Sequence, residues 1–131
     1  MTSSFTNLVL SARFLGLLEI PDQYQAICER ASAIARYILV EHFGRIASIA
    51  KAPFTRAVFL GSGARFAAAR EASLKMLEMT SGRVATLCET FLGLRHGPMS
   101  YVHKDCLVVA FSVIGFFVAG LRIRPASRIG S

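Results

Sequence analysis

Acidic residues are scarce in this chain. Eight Asp and Glu stand against 15 Lys and Arg in 131 residues, and all charged residues together make up 18%, a low fraction for a soluble domain. The formal charge of +7 is uneven: Arg122, Arg124 and Arg128 lie in the last 20 residues, which carry no acid. The remaining basic residues are scattered without interleaved aromatics, which excludes a nucleic-acid surface of known pattern. Cysteine is also sparse. Cys28, Cys88 and Cys106 lie far apart and form no CxxC, so neither a disulfide framework nor a redox motif is expected, and the thiols read as reduced, intracellular core residues. No repeat or low-complexity tract is present. The opening MTSSFTNLVLSARF lacks the basic start and cleavage site of a signal peptide, so a cytoplasmic protein is expected. What the chain does have is apolar content, 53% of residues, enough for the core of about one domain.

Hydrophobic periodicity predicts a helix over 3–18, capped by Ser3 or Ser4, and a second helix from about Gln23 to Val40 with Asp22 as N-cap. Gly44 is expected to break it or mark its end, and a shorter helix to run to about Ala50. Ala57–Gly61 is fully apolar, as in a buried parallel strand. Gly61-Ser62-Gly63 then turns into a helix over 64–80, with Gly82 at its C-cap. Val84–Cys88 and Cys106–Phe111 read as further strands, separated by an irregular segment with at most a helical turn. The order implies a layered α/β domain with a parallel sheet. Residues 112–131 match neither a helix nor a strand. Joined to the strand before them they give a 16-residue apolar run, Cys106–Leu121, short of the roughly 20 residues of a membrane span.

Three groups could carry chemistry. Glycines at Gly61 and Gly63 let a backbone approach a ligand, the amides that open a helix favour anions, and the Ser62 hydroxyl adds a donor; the bland reading is a simple turn. The stretch lacks both the dinucleotide fingerprint and the P-loop. Glu71, Lys75 and Glu78 share one helix face. They are either a weak solvated ion pair or a carboxylate base beside a cation, the set that proton abstraction next to a carbonyl requires. The helix around them is apolar almost all round, which predicts burial, and buried charges must be paired or functional. Third, His96-Gly97-Pro98 puts a histidine on a rigid turn, fit for acid/base work or for plain hydrogen bonding. His42 and His103 have no such setting. No cluster has metal-ligand spacing, and no cofactor or metal is expected.

Taken together, strand-GSG-helix, the E-x-x-x-K-x-x-E of AREASLKMLEMT and the segment ETFLGLRHGPMS resemble the SIS (sugar isomerase) domain family. EASLKMLEMTSGRVAT and CETFLGLRHGPMSYVH are most similar to its tagatose-6-phosphate ketose/aldose isomerase branch, which acts on galactosamine 6-phosphate as deaminase and isomerase. The resemblance covers about residues 1–111. It implies a three-layer αβα sandwich with a parallel sheet, flavodoxin-like or Rossmann-like, here incomplete. It assigns 1–18 to the trailing helix of a first SIS repeat, 19–111 to part of a second, and 112–131 to a divergent tail.

The resemblance also implies roles. Glu78 matches the glutamate that moves a proton between C1 and C2, with Lys75 and Glu71 beside the sugar. His96 matches a histidine tied to ring opening, which in related enzymes reaches across from a neighbouring subunit. Ser62, Gly63, Thr2, Ser3 and Ser4 are expected near the ligand. The expected partners are a phosphorylated sugar or amino sugar and a second copy of the chain, with no nucleic acid and no membrane. Because the family's phosphate-holding Ser/Thr-rich loop belongs to the first repeat, the chain reads as a fragment, inactive alone. The rival readings are a non-catalytic module that binds phosphosugars or pairs with another subunit, and a small protein attached to a membrane through Cys106–Leu121.

Overall fold

The computed structural model of the protein describes residues 4–112 and the backbone of residues 115–120. The chain divides into two compact units, Met1–Ala52 and Pro53–Ser131.

The first unit is helical, with α1 (Ser4–Leu15), α2 (Pro21–Tyr37) and α3 (Phe43–Ala50). Phe14 of α1 packs edge-on against Tyr24 of α2, ring centroids 5.2 Å apart. Asp22 is not the N-cap of α2. Ile20 occupies that position and Pro21 opens the helix, where its missing N–H costs nothing and its fixed φ suits the first turn; Asp22 sits in that turn, favourably placed for the helix dipole. The break falls just before Gly44, which sits in the first turn of α3, and the shorter helix then runs to Ala50 as expected. That break is the π-helical turn Ile38–His42. There Tyr37 and His42, five residues apart, stack edge-on at 5.2 Å. No residue of these helices is buried.

The second unit holds the core. Its strands are β1 (Arg56–Gly61), β2 (Ala85–Glu89), β3 (Cys106–Ser112) and β4 (Gly115–Gly120), in the order β2-β1-β3-β4. The first three are parallel, with Val58 opposite both Leu87 and Val108. Residues 57–61 are all buried, as a central strand covered on both faces demands. Thr55 ties the strand starts together: its N–H donates to the Asp105 carbonyl at 3.2 Å, its carbonyl accepts from Ala85 N–H at 3.0 Å, and its hydroxyl donates to the Asp105 carboxylate. The Arg56 guanidinium lies 5.5 Å over the Tyr101 ring.

The tail departs from expectation. β4 is a strand, antiparallel to β3 with Phe117 opposite Ala110. Glycine-bounded GFFVAG folds back along its neighbour, so the 16-residue apolar run contains two antiparallel strands instead of one span. No helix among the described residues is long and apolar enough to cross a membrane. Residues 113, 114 and 121–131 lie outside the described residues.

Strand alternation assigns the faces. Val58 and Leu60 join Cys106 and Leu94 in one cluster, with Leu87, Tyr101 and Val102 against it. Leu94 belongs to α5 (Phe91–His96), and Tyr101 to the 3₁₀ turn Met99–Tyr101; the segment expected to be irregular is therefore mostly helical. On the opposite face lies α4 (Ala64–Met79), packed on β1, β2 and β3. Helix, sheet and helix form the layers of an α/β fold, with α5 only six residues long. Of the three thiols, all free, only Cys106 is buried; Cys28 and Cys88 are half-buried, short of the core placement expected of them.

Candidate functional site

The Gly-Ser-Gly turn at the carboxyl end of β1 sets the start of α4. A Cβ on Gly61 would lie 2.5 Å from the backbone oxygen of Arg65, so glycine there lets the helix close directly on the strand. Gly63 adopts φ 58°, ψ −135°, a conformation open essentially to glycine. The Ser62 carbonyl accepts from Arg65 N–H at 3.3 Å and the Gly63 carbonyl from Phe66 N–H at 3.0 Å. At the far end, Ser81 N–H returns to Glu78 O at 3.1 Å and Gly82 N–H to Leu77 O at 2.9 Å. That is a Schellman ending in which Ser81 (φ 52°) occupies the left-handed position and Gly82 (φ 75°) follows it.

Along α4, Ala69 and Ser73 are buried and face the sheet. Glu71, Lys75 and Glu78 lie roughly half a turn around the helix from Ala69. The helix is not buried all round: Leu74, Leu77 and Met79 are exposed, because the sheet covers one side of α4 only. The three charged side chains retain 23% (Glu71), 26% (Lys75) and 41% (Glu78) of their accessible surface. Lys75 Nζ lies 2.6 Å from Glu78 Oε2 and 3.5 Å from Glu71 Oε1. The hydrogen bond to Glu78, aided by the charges of both carboxylates, raises the Lys75 pKa against the opposing pull of desolvation. Lys75 is therefore a fixed cation and not a base, and the trio carries a net charge of −1.

Ser62, Gly63 and His96 lie apart from this trio. Gly63 and Glu78 are separated by nearly the whole of α4, about 22 Å of helical rise, so Ser62 and Gly63 mark one end of the helix and Glu78 the other. His96 ends α5 and is exposed. Since α5 covers the Val58–Leu60 face and α4 the Ala57–Phe59 face, His96 and Glu78 lie on opposite sides of the sheet. Ser4 opens α1, exposed; Thr2 and Ser3 fall outside the described residues.

α5 itself is anchored by residues the motif reading left without a role. Thr90 caps it, its hydroxyl accepting from Gly93 N–H at 2.9 Å. Glu89, at the carboxyl end of β2, accepts from Thr90 N–H at 3.3 Å, and its carboxylate occupies the space that a Cβ on Gly93 would need. The position of Glu89 at the carboxyl edge of a parallel sheet, where ligands of such folds gather, was the available signal. Cys88 faces α4; burial pushes its thiol pKa up, partly offset by the Arg70 charge, so it stays protonated. Among the described residues no group of His, Cys, Asp and Glu is arranged to hold a metal ion.

No family model matches the chain. It is 41% identical over 114 residues to a D-galactosamine-6-phosphate deaminase AgaS from Shewanella sp. (strain ANA-3), covering 86% of this chain and 28% of that protein. A solved structure from Clostridium novyi NT, a candidate tagatose-6-phosphate ketose/aldose isomerase, superposes with a TM-score of 0.73 at 36% identity, over 85% of this chain and 28% of that one. The tagatose-6-phosphate ketose/aldose isomerase from Escherichia coli gives 0.70 at 36% identity, over 85% and 30%. The chain thus spans less than a third of the length of each relative.

Proposed function

Because the chain belongs to the SIS (sugar isomerase) family, we propose that its α4 face supplies one wall of a site for C1–C2 proton transfer on galactosamine 6-phosphate. The observation that carries the reading is Lys75 held between two carboxylates on the outward side of α4. In the open-chain amino sugar, C1 is an aldehyde and C2 bears a proton and the amine. Glu78 takes the C2 proton, and the electron pair moves toward the C1 oxygen. Lys75, fixed as a cation, stabilises the charge that develops there. The ammonium gives one proton to solvent, which frees its lone pair; as Glu78 returns the proton to C1 the lone pair forms the C2–N double bond and a second N–H proton passes to the C1 oxygen, leaving a ketimine at C2. Water adds to it, the C–N bond breaks, and tagatose 6-phosphate and ammonia result.

His96, on the far side of the sheet from Glu78, serves ring opening from a second copy of the chain in this reading, which makes the working unit a homo-oligomer. Ser62 and Gly63 are assigned to starting α4 correctly. The phosphate needs a cradle of its own, which the resemblance places in the first repeat, so the chain alone is expected to bind the sugar weakly and not to turn it over.

The test is calorimetric titration of the purified chain with galactosamine 6-phosphate, together with an assay for released ammonia. Binding that Glu78→Gln and Lys75→Met weaken, without turnover, is the expected result. Absence of binding to any phosphosugar would overturn the site, and turnover abolished by Glu78→Gln would overturn the claim of inactivity alone.

A further inference from the structure

The Glu-Lys-Glu trio is lopsided. At 2.6 Å the Lys75–Glu78 contact is a short charge-assisted hydrogen bond, whereas 3.5 Å to Glu71 exceeds the usual N–H···O range. Lys75 is thus committed to Glu78, and the Glu71 carboxylate is left with most of its acceptor capacity open. The surplus negative charge of the trio therefore resides at Glu71. From the reading proposed above, on which this step rests, we infer that Glu71 is the specificity-determining residue of the site: it receives the ammonium on C2 and so selects an amino sugar phosphate over the corresponding 2-hydroxy sugar phosphate.

The spacing of the trio admits one tetrahedral carbon between its carboxylates. Glu71 Oε1 and Glu78 Oε2 flank a single ammonium at 3.5 and 2.6 Å, so they cannot be farther apart than the 6.1 Å these distances make end to end. An oxygen placed to take a proton from a carbon lies about 3 Å from that carbon. One that accepts a hydrogen bond from an amine on the same carbon lies about 4 Å from it. With the two substituents at the tetrahedral angle, such oxygens stand roughly 5–6 Å apart. The 6.1 Å limit admits that separation, which leaves room for the two carboxylates to address the proton and the amine of C2 together. A hydroxyl at C2 can donate to Glu71 but cannot neutralise it.

The experiment is a set of titrations on the full chain with galactosamine 6-phosphate, galactose 6-phosphate and N-acetylgalactosamine 6-phosphate. All three carry the same phosphate, and only the first carries a cation at C2, so the ratio of affinities reports the contact. The wild-type chain is expected to prefer the free amine about five- to tenfold. Glu71→Gln should level the three ligands, and Glu71→Asp should keep part of the preference. Retained affinity for galactose 6-phosphate shows that the variants are folded. Equal binding of all three by the wild type, or a preference that survives Glu71→Gln, overturns the inference and leaves the site standing. If none of the three binds, the underlying reading fails and the inference with it.

Discussion

Lys75 Nζ sits 2.6 Å from Glu78 Oε2, one turn apart on α4, in a contact that is short yet open to solvent. Exposed ion pairs of this kind add little to folding, because water and salt screen them. Lys75→Met is therefore expected to leave the urea midpoint nearly unchanged. The same change leaves two carboxylates without their cation and removes the charge that would meet the C1 oxygen, so affinity for galactosamine 6-phosphate should fall by about tenfold. Urea unfolding and calorimetry on one preparation check both halves. A large drop in midpoint with unchanged binding would make Lys75 a structural residue.

The two glycines that open α4 should fail for different reasons. A methyl at Gly61 would lie 2.5 Å from the Arg65 carbonyl oxygen, which belongs to backbone and has nowhere to go. Gly61→Ala is expected to cost about 2–3 kcal/mol by prising the helix from the strand. Gly63 has open space around it, but φ 58° with ψ −135°; Gly63→Ala should cost about 1–3 kcal/mol through the backbone alone. Near-ultraviolet circular dichroism separates the cases, since only Gly61→Ala should disturb packing around Phe66 and Phe59.

How much of this was legible in the sequence follows from how local each feature is. The all-apolar AVFLG and the glycines after it marked β1, its turn and α4 almost to the residue, because burial on both faces and glycine-only geometry leave direct traces. The partial burial of α4 is not legible, because its alanines and leucines say nothing about how many sides have a partner. β4 is not legible because the run Cys106–Leu121 is continuously apolar, with no Pro, Asn or Asp to mark where β3 ends and its antiparallel neighbour begins. The placement of His96 across the sheet from Glu78 depends on which face each connection crosses, and no spacing in the sequence encodes that. The Glu71–Lys75–Glu78 trio was readable as a face, but the shorter arm to Glu78 was not.

Acid should expose the Thr55–Asp105 link. The Thr55 hydroxyl bonded to the Asp105 carboxylate, with smaller help from Arg56 and His103, holds that carboxyl below its usual pKa. A depressed folded-state pKa contributes stability above the unfolded value of about 3.9, and that contribution is lost as pH falls through the folded value. Thr55→Val should thus flatten the fall in stability between about pH 5 and the acid limit, while leaving the dependence above pH 6 as in the wild type. Urea midpoints at a series of pH values provide the comparison. Parallel curves for the two proteins would show that Asp105 does not feel Thr55.

Gly93 tests what anchors α5. A Cβ there would meet Glu89 Oε2 at 2.4 Å and the capping Thr90 hydroxyl at 2.9 Å. The carboxylate can swing aside, but doing so gives up its bond to Thr90 N–H and crowds the cap. Gly93→Ala is expected to cost about 1 kcal/mol, the size of a lost N-cap. Part of that should vanish in a Glu89→Ala background, where the clash is gone. Strict additivity of the two substitutions would mean that Glu89 and Gly93 do not share this space.

His96 and Glu78 are separated by the sheet itself, with α5 on the Val58–Leu60 side and α4 on the other. A ligand held by Glu78 therefore lies on the other side of the sheet from the same chain's His96. In the proposed reading His96 acts from another copy, so its response must depend on how many copies are associated. In NMR titrations with galactosamine 6-phosphate, signals from the Lys75–Glu78 turn are expected to shift to the same extent at any protein concentration. The His96 ring signals should shift only as the concentration rises into the range where sedimentation shows association. An equal His96 response in dilute monomer would place the histidine's partner within one chain and require a different path for the ligand. No response at any concentration would remove His96 from the site and leave ring opening to water or to Glu78.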